Sequence, residues 1–188
     1  MAIVTNSKID LISKALILCG EAPLNSLSDE RYGATVGSNL FEMLYENELQ
    51  ANRWRFAMTK AALSRLVAVP LNQWKFAYQL PSDMLLPIGI FPIDLTYEIY
   101  ADRIYTDRTS VELDYMFKPA VTSVPAYFAT LMTFSLAQVF IKPITESDTA
   151  VKIMESKYDA QRAIALYADA QGRPAKMVYS SPFTDIRF

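Results

Sequence analysis

The spacing of apolar residues changes twice along this 188-residue chain, and this change limits the folds that the chain can adopt. Apolar side chains recur every three or four residues in 1–53 and again in 122–170, which predicts amphipathic helices. In 54–121 apolar and polar residues alternate instead, which predicts antiparallel strands that are covered on one face. We therefore expect an α+β fold, in which a four-helix bundle carries an inserted antiparallel β module.

The first helix has signals at both of its ends. Ser7 is placed to cap it, with Asp10 completing a capping box, and Gly20 is placed to end it in a left-handed turn. Cys19 follows the apolar face of this helix. Because no base lies near it in the sequence, we expect Cys19 to be a small core residue and not a nucleophile.

The second helix, expected over about 28–52, carries apolar residues on two of its sides. One side holds Phe41, Tyr45 and Leu49. The other side holds Tyr32, Val36, Leu40, Met43, Leu44 and Ala51. Both apolar sides of such a helix need a packing partner that shields them from water. Either the rest of the chain covers both sides, or one side packs in the bundle and the other contacts a neighbouring subunit. Helical spacing leaves both possibilities open.

The third helix is expected to begin at Pro125 and to end before Pro143. Residues 119–141 carry no charged side chain and are long enough to span a bilayer. Their six polar residues favour a helix buried within protein, and a membrane span is the alternative. A fourth helix is expected over about 148–170, before Gly172. Its inner face is expected to hold Ala150, Ile153, Met154, Tyr158, Ile164, Ala165 and Ala168.

Within the β module, 74–80, 97–101 and 111–118 show the clearest alternation. Prolines confine 84–91 to a loop or an edge strand. Aromatic residues next to basic ones occur where the spacing changes and at the first of these strands. We expect this group to lie at the junction between bundle and β module, and its members are Trp54, Phe56 and Trp74.

The last segment, 171–188, contains two prolines and shows no helical period. It carries six apolar residues, whose full burial would contribute about 9–18 kcal/mol at roughly 1.5–3 kcal/mol each. Ordering its 18 residues costs on the order of 18–36 kcal/mol of backbone entropy. Because burial alone does not order this segment, we expect an extended arm that docks on a receiving surface through backbone hydrogen bonds or in many copies.

Composition excludes several chemistries. The chain has no histidine and one cysteine, so it has no imidazole base, no His-ligated metal and no thiolate zinc site. No glycine-rich phosphate loop occurs, and the net charge of −2 provides no attraction to nucleic acid. We expect no catalytic residue, no metal and no cofactor. An enzyme that uses carboxylates or a metal is the alternative from another class.

Three segments carry motifs of a known family. Residues 19–27 read CGEAPLNSL, residues 48–56 read ELQANRWRF, and residues 74–83 read WKFAYQLPSD. They resemble, in that order, the GEAPxNSL segment, the LQxxxWxFN signature and the aromatic strand with LPxD of the podovirus head-to-tail adaptors, also called tail tubular protein A. Ala57 stands where the family pattern has Asn, and Arg53 where Gly is common.

This resemblance implies a structural protein of the virion, assembled in the host cytoplasm. It implies a homododecameric ring between the portal protein and the tail nozzle protein, with double-stranded DNA passing through without sequence recognition. It implies no membrane partner. Another head-completion or tail-completion ring protein is the nearest alternative. The resemblance also suggests a ring-closing contact between neighbouring subunits through Phe41, Tyr45 and Leu49. It further suggests portal docking for the C-terminal arm, through Arg173, Met177, Tyr179, Phe183, Ile186 and Phe188.

Overall fold

Helices and strands follow one another as the change of spacing predicts. The computed structural model describes residues 6–68, 70–71 and 73–172. The helices in this part are α1 (Lys8–Leu18), α2 (Tyr32–Gln50), α3 (Ala126–Thr145) and α4 (Asp148–Gln171). The strands are β1 (Met58–Ala62), β2 (Phe76–Gln79), β3 (Met84–Phe91), β4 (Tyr97–Tyr100), β5 (Arg103–Thr106) and β6 (Glu112–Phe117). The mixed α+β class is confirmed.

The signals at the ends of α1 are confirmed. The Asp10 backbone N–H donates to the Ser7 hydroxyl at 3.2 Å, and the Ser7 N–H donates to the Asp10 carboxylate at 2.9 Å. The Ser7 hydroxyl also donates to the Asp10 carboxylate, at 2.6 Å. This hydrogen bond and the one from the Ser7 N–H hold the pKa of Asp10 below its usual value. Gly20 has a φ of 89°, a conformation that glycine adopts without strain.

Helix α2 begins three residues later than its sequence predicts. The Asp29 carboxylate accepts hydrogen bonds from the backbone N–H and the Nε of Arg31, at 3.2 and 2.8 Å. This local turn keeps Arg31 extended, so Tyr32 is the first helical residue.

The three large side chains assigned to a subunit interface lie inside the chain's own core. Phe41, Tyr45 and Leu49 are all buried, and the Tyr45 hydroxyl donates to the Pro119 carbonyl at 2.9 Å. The assignment of these residues to a subunit interface is therefore wrong. Helical spacing shows that α2 has two apolar sides, but the tertiary fold decides which of them the chain itself covers.

Helix α3 is the centre of the helical part and contacts α1, α2 and α4. Ten of its residues are buried, and between positions 127 and 141 only Thr130 is exposed. In the described part of the chain, α3 is also the one helix long and apolar enough to cross a membrane. The prediction of a helix buried within protein is confirmed. The predicted end is wrong, because α3 continues through Pro143 and ends at Thr145.

Helix α4 begins as predicted, after the Ser147 side chain, which accepts a hydrogen bond from the Ala150 N–H at 3.3 Å. Its inner face is narrower than its sequence predicts. Met154 and Ala165 are buried, but Ile153 and Ile164 are 52% and 58% exposed. The prediction for these two isoleucines is wrong because α4 packs mainly against one neighbour, α3.

The strands form two antiparallel sheets, with strand orders β1-β6-β3 and β2-β5-β4. The edge position predicted for residues 84–91 is confirmed, because β3 pairs with β6 alone and its register shifts around Pro87. The strand predicted over 97–101 ends at Tyr100. Ala101, with a φ of 52°, turns the chain back into β5.

Two clusters of buried apolar residues hold these elements together. The larger one lies among the four helices and includes Met116 of β6. The smaller one takes residues from both sheets, among them Tyr78, Ile104 and Leu113. Strand β6 contributes to both clusters, so it links the helical part to the sheets.

Candidate interaction surfaces

Two of the three predicted junction residues meet where α2 leads into β1. Trp54 is buried, and its Nε1 donates to the Glu48 backbone carbonyl at 2.7 Å. The rings of Trp54 and Phe56 both contact Phe128 of α3, with centroids 5.2 and 5.0 Å away. Such edge-to-face contacts add stability beyond the area that they bury. This aromatic cluster fixes the end of α2 and the start of β1 on α3.

Trp74 is not part of that junction. It precedes β2 in the second sheet, and its Nε1 donates to Glu98 of β4 at 2.8 Å. Together with Tyr100 and Tyr105 it lines a groove of about 330 Å³ on that sheet. The junction prediction for Trp74 is wrong, because an alternating pattern does not specify which sheet its strand will join.

Two buried carboxylates attach α4 to the rest of the helical part. Sequence reasoning did not single out Asp169, and it interpreted Glu48 as a solvated surface charge, which the burial of Glu48 contradicts. Asp169 accepts hydrogen bonds from the Arg55 N–H at 3.2 Å and from the Tyr127 hydroxyl at 2.7 Å. The sequence contains one indication that Asp169 is buried, because Asp169 follows Ala165 by four residues and so lies on the inner face of α4. Burial, followed by the neighbouring Asp169 carboxylate, raises the pKa of Tyr127.

Glu48 is the second of these carboxylates. Its Oε1 accepts a hydrogen bond from the Tyr158 hydroxyl at 2.9 Å, and its buried Oε2 has no partner within the described residues. Burial and the charge of Glu48 raise the pKa of Tyr158 to about 12. In the described ranges no group of three or more Cys, Asp or Glu side chains could hold a metal ion. Through their hydrogen bonds with Tyr127 and Tyr158, Asp169 and Glu48 anchor α4 to α3 and α2.

The prediction that Cys19 is a core residue is confirmed. Its side chain is buried, and its Sγ donates to the Ala137 carbonyl at 3.5 Å. Burial and the nearby Glu21 raise the pKa of the thiol to about 11. At neutral pH the thiol is therefore protonated and a weak nucleophile.

Two helices leave apolar side chains open to solvent. The α2 outer stripe consists of Tyr32, Val36 and Met43. Tyr32 and Met43 are both 51% exposed, and Val36 between them is partly buried against the core. It belongs to the side of α2 opposite to the one expected to contact a neighbour. The α4 outer stripe consists of Ile153, Ala160, Ile164 and Tyr167. These residues follow one another at helical spacing, so they share one face of α4.

A third apolar surface is the α1/α3 groove, of about 440 Å³. It is lined by apolar residues from both helices, with Asn6 and Lys14 beside them. The Lys14 ammonium donates to the Asn6 side-chain oxygen at 2.7 Å. Ile17 and Leu18, at the far end of the groove, are about half exposed. Sequence reasoning missed this groove because its lining comes from two helices that are far apart in the chain.

The residues that carry the family resemblance build loops and turns. The Leu24 N–H donates to the Ser13 hydroxyl at 3.1 Å, and Arg31 donates to the Pro23 carbonyl at 2.9 Å. In the third segment, Asp83 accepts a hydrogen bond from the Tyr115 hydroxyl at 3.2 Å. These motif residues therefore contribute to the fold, and none of them belongs to the two outer stripes or to the α1/α3 groove.

The residues predicted to dock on a portal lie outside the described part of the chain. They are Arg173, Met177, Tyr179, Phe183, Ile186 and Phe188. No family model matches this chain, and no curated protein matches it.

Proposed function

We propose that this chain is a structural subunit of a phage virion, a head-to-tail adaptor that forms a ring between portal and tail nozzle. The resemblance of three sequence segments suggests the family. The observation that carries the proposal is the presence of apolar outer stripes on two different helices, α2 and α4, of a chain that already has a filled core. Large apolar side chains that are exposed on one face of a helix are candidates for contact with another molecule.

A ring needs two different contact surfaces on each subunit, because each copy meets one neighbour with one face and the next neighbour with another. The α2 outer stripe and the α4 outer stripe meet this requirement. In our proposal the α4 outer stripe of one copy packs against the α2 outer stripe of the next. This contact replaces the one first assigned to Phe41, Tyr45 and Leu49.

The remaining parts of the proposal concern the ends of the ring. The four helices form one bundle, residues 171–188 form an arm that docks on the portal, and the β module faces the tail nozzle. A chain with a net charge of −2 is suited to a DNA conduit, because a strongly basic wall would bind phosphates and slow the DNA. Double-stranded DNA then passes without sequence recognition.

The ring contact is tested by the substitution Ile164→Glu. Ile164 is 58% exposed, so the charge should leave the fold intact and prevent the stripe from packing against a neighbour. We expect the wild-type protein to form a ring of twelve copies on the portal of the same phage, and the variant to bind as scattered single copies or not at all. Native mass spectrometry with and without portal measures this difference.

The matched control is Glu155→Lys, a charge change at an exposed position on another side of the same helix. It should assemble like the wild type. Complete rings from the Ile164→Glu protein, with unchanged circular dichroism, would refute the α4 contact. A wild-type protein that ignores portal and nozzle alike would refute the proposed function itself.

A further inference from the structure

The lining of the α1/α3 groove reaches the end of α3 near which the described chain stops. The groove begins beside Ala126, the first residue of α3. The hydrogen bond between Tyr127 and Asp169 fixes the last turn of α4 at this same end, and α4 ends two residues later. The segment 173–188 therefore starts close to the end of the apolar groove that Ala126 lines.

The length and composition of that segment suit the groove. Sixteen residues reach about 53 Å when extended, at about 3.3 Å per residue. The stretch of α3 that lines the groove, from Ala126 to Phe134, is about 12 Å long at 1.5 Å per residue. The segment contains two phenylalanines and a tyrosine, and aromatic side chains bury the largest apolar area per residue.

We propose that residues 173–188 occupy the α1/α3 groove of their own chain while the subunit is free. On the function proposed above, the same aromatic side chains dock on the portal, so groove and portal compete for them. The groove then covers the arm until the subunit encounters a portal. Portal binding shifts the equilibrium towards molecules in which the arm has left the groove. Because the arm must first leave the groove, free subunits have a lower affinity for any surface that binds the arm less tightly than the portal does.

Another segment could fill the same groove. Residues 1–5 lead into Asn6, which lines the groove, and they include Ile3 and Val4. We favour the C-terminal segment because its aromatic side chains fill more of a 440 Å³ groove than Ile3 and Val4 can. The experiment separates the two occupants.

The test is a paramagnetic relaxation measurement on the full-length chain. Ser181→Cys provides a site for a nitroxide label, and the protonated, buried Cys19 thiol leaves the new cysteine as the reactive one. We expect selective loss of the methyl signals of Ile17 and Leu18, with the Ile104 and Leu113 signals of the second cluster as controls. Adding Phe183→Ser should restore the groove signals by at least half.

Three results would overturn the proposal. The first is a loss spread evenly over groove and control methyls. The second is a groove-specific loss caused by a label at Ala2→Cys and not by the label at position 181. The third is a loss that appears only when labelled and isotope-enriched molecules are mixed, which would assign the groove to a second copy.

Release is tested separately with Ile17→Glu, a charge placed in the exposed part of the groove. We expect portal capture by this variant to be several-fold faster than by the wild type. Equal capture rates for the variant and the wild type would show that the groove and the portal do not compete for the arm. Because the relaxation measurement uses no portal, failure of the groove contact with normal portal capture would leave the proposed function standing.

Discussion

Helices α3 and α4 are neighbours of similar length, and they serve the molecule in different ways. Ten of the 20 residues of α3 are buried, against three of the 24 residues of α4. Helix α3 carries one charged side chain, Lys142, whereas α4 carries seven. The position of each helix explains this difference. Other elements surround α3, but α4 packs mainly on α3 and turns its other faces outwards.

This comparison shows how the chain separates folding from association. Side chains on α3 stabilise the fold because they lose contact with water when the chain folds. The outer stripe of α4 gains little from folding, so its isoleucines and tyrosine are free to stabilise a contact with another molecule. Substitutions on α3 should therefore lower the free energy of unfolding, and those on the outer stripe should change association.

The largest effect is expected for Phe128→Ala on α3. Phe128 is fully buried and contacts the rings of Tyr45, Trp54 and Phe56. Its truncation should lower the free energy of unfolding by about 3–5 kcal/mol, measured by urea denaturation. The matched variant on α4 is Tyr167→Ala, at a position that is 69% exposed, and it should change the value by less than about 0.5 kcal/mol. Similar losses in the two variants would contradict the comparison.

An intermediate effect is expected for Asp169→Asn, which changes the anchor between the two helices. The carboxylate accepts hydrogen bonds from Arg55 and Tyr127, and an amide oxygen replaces only part of that capacity. We expect a loss of about 1–3 kcal/mol in the free energy of unfolding. The control is Asp159→Asn on the exposed side of α4. If both variants unfold at the same urea concentration as the wild type, Asp169 is not an anchor.

Sequence reasoning was most accurate where the determining interactions are local. The start of α1 depends on Ser7 and Asp10, three residues apart, and its end depends on the left-handed turn at Gly20. The start of α4 depends in the same way on Ser147. Hydrogen bonds between residues this close form whatever the rest of the chain does. The sequence was therefore sufficient to place these ends.

It was least accurate where distant elements choose their partners. The period of α2 identified two apolar sides, but α3 and the loop at Pro119 cover Phe41 and Tyr45, and no local signal specifies that. Trp74 pairs with Glu98, 24 residues further along the chain, for the same reason. For the candidate surfaces, the two apolar sides of α2 indicated surplus apolar area, and only the fold located exposed apolar residues on the outer stripes and in the α1/α3 groove.

The smallest effect is expected at alkaline pH, for Tyr158→Phe on α4. The folded chain raises the pKa of Tyr158 from 10.0 to about 12, because the buried neutral phenol donates to Glu48. The resulting stability is fully present below pH 10 and is lost as the pH rises from 10 through 12. Over this interval the free energy of unfolding should therefore fall less steeply in the variant than in the wild type. Urea denaturation at a series of pH values measures both slopes, with Tyr167→Phe on the outer stripe as the control. Equal slopes in all three proteins would mean that the contact between α2 and α4 does not depend on the Tyr158 proton.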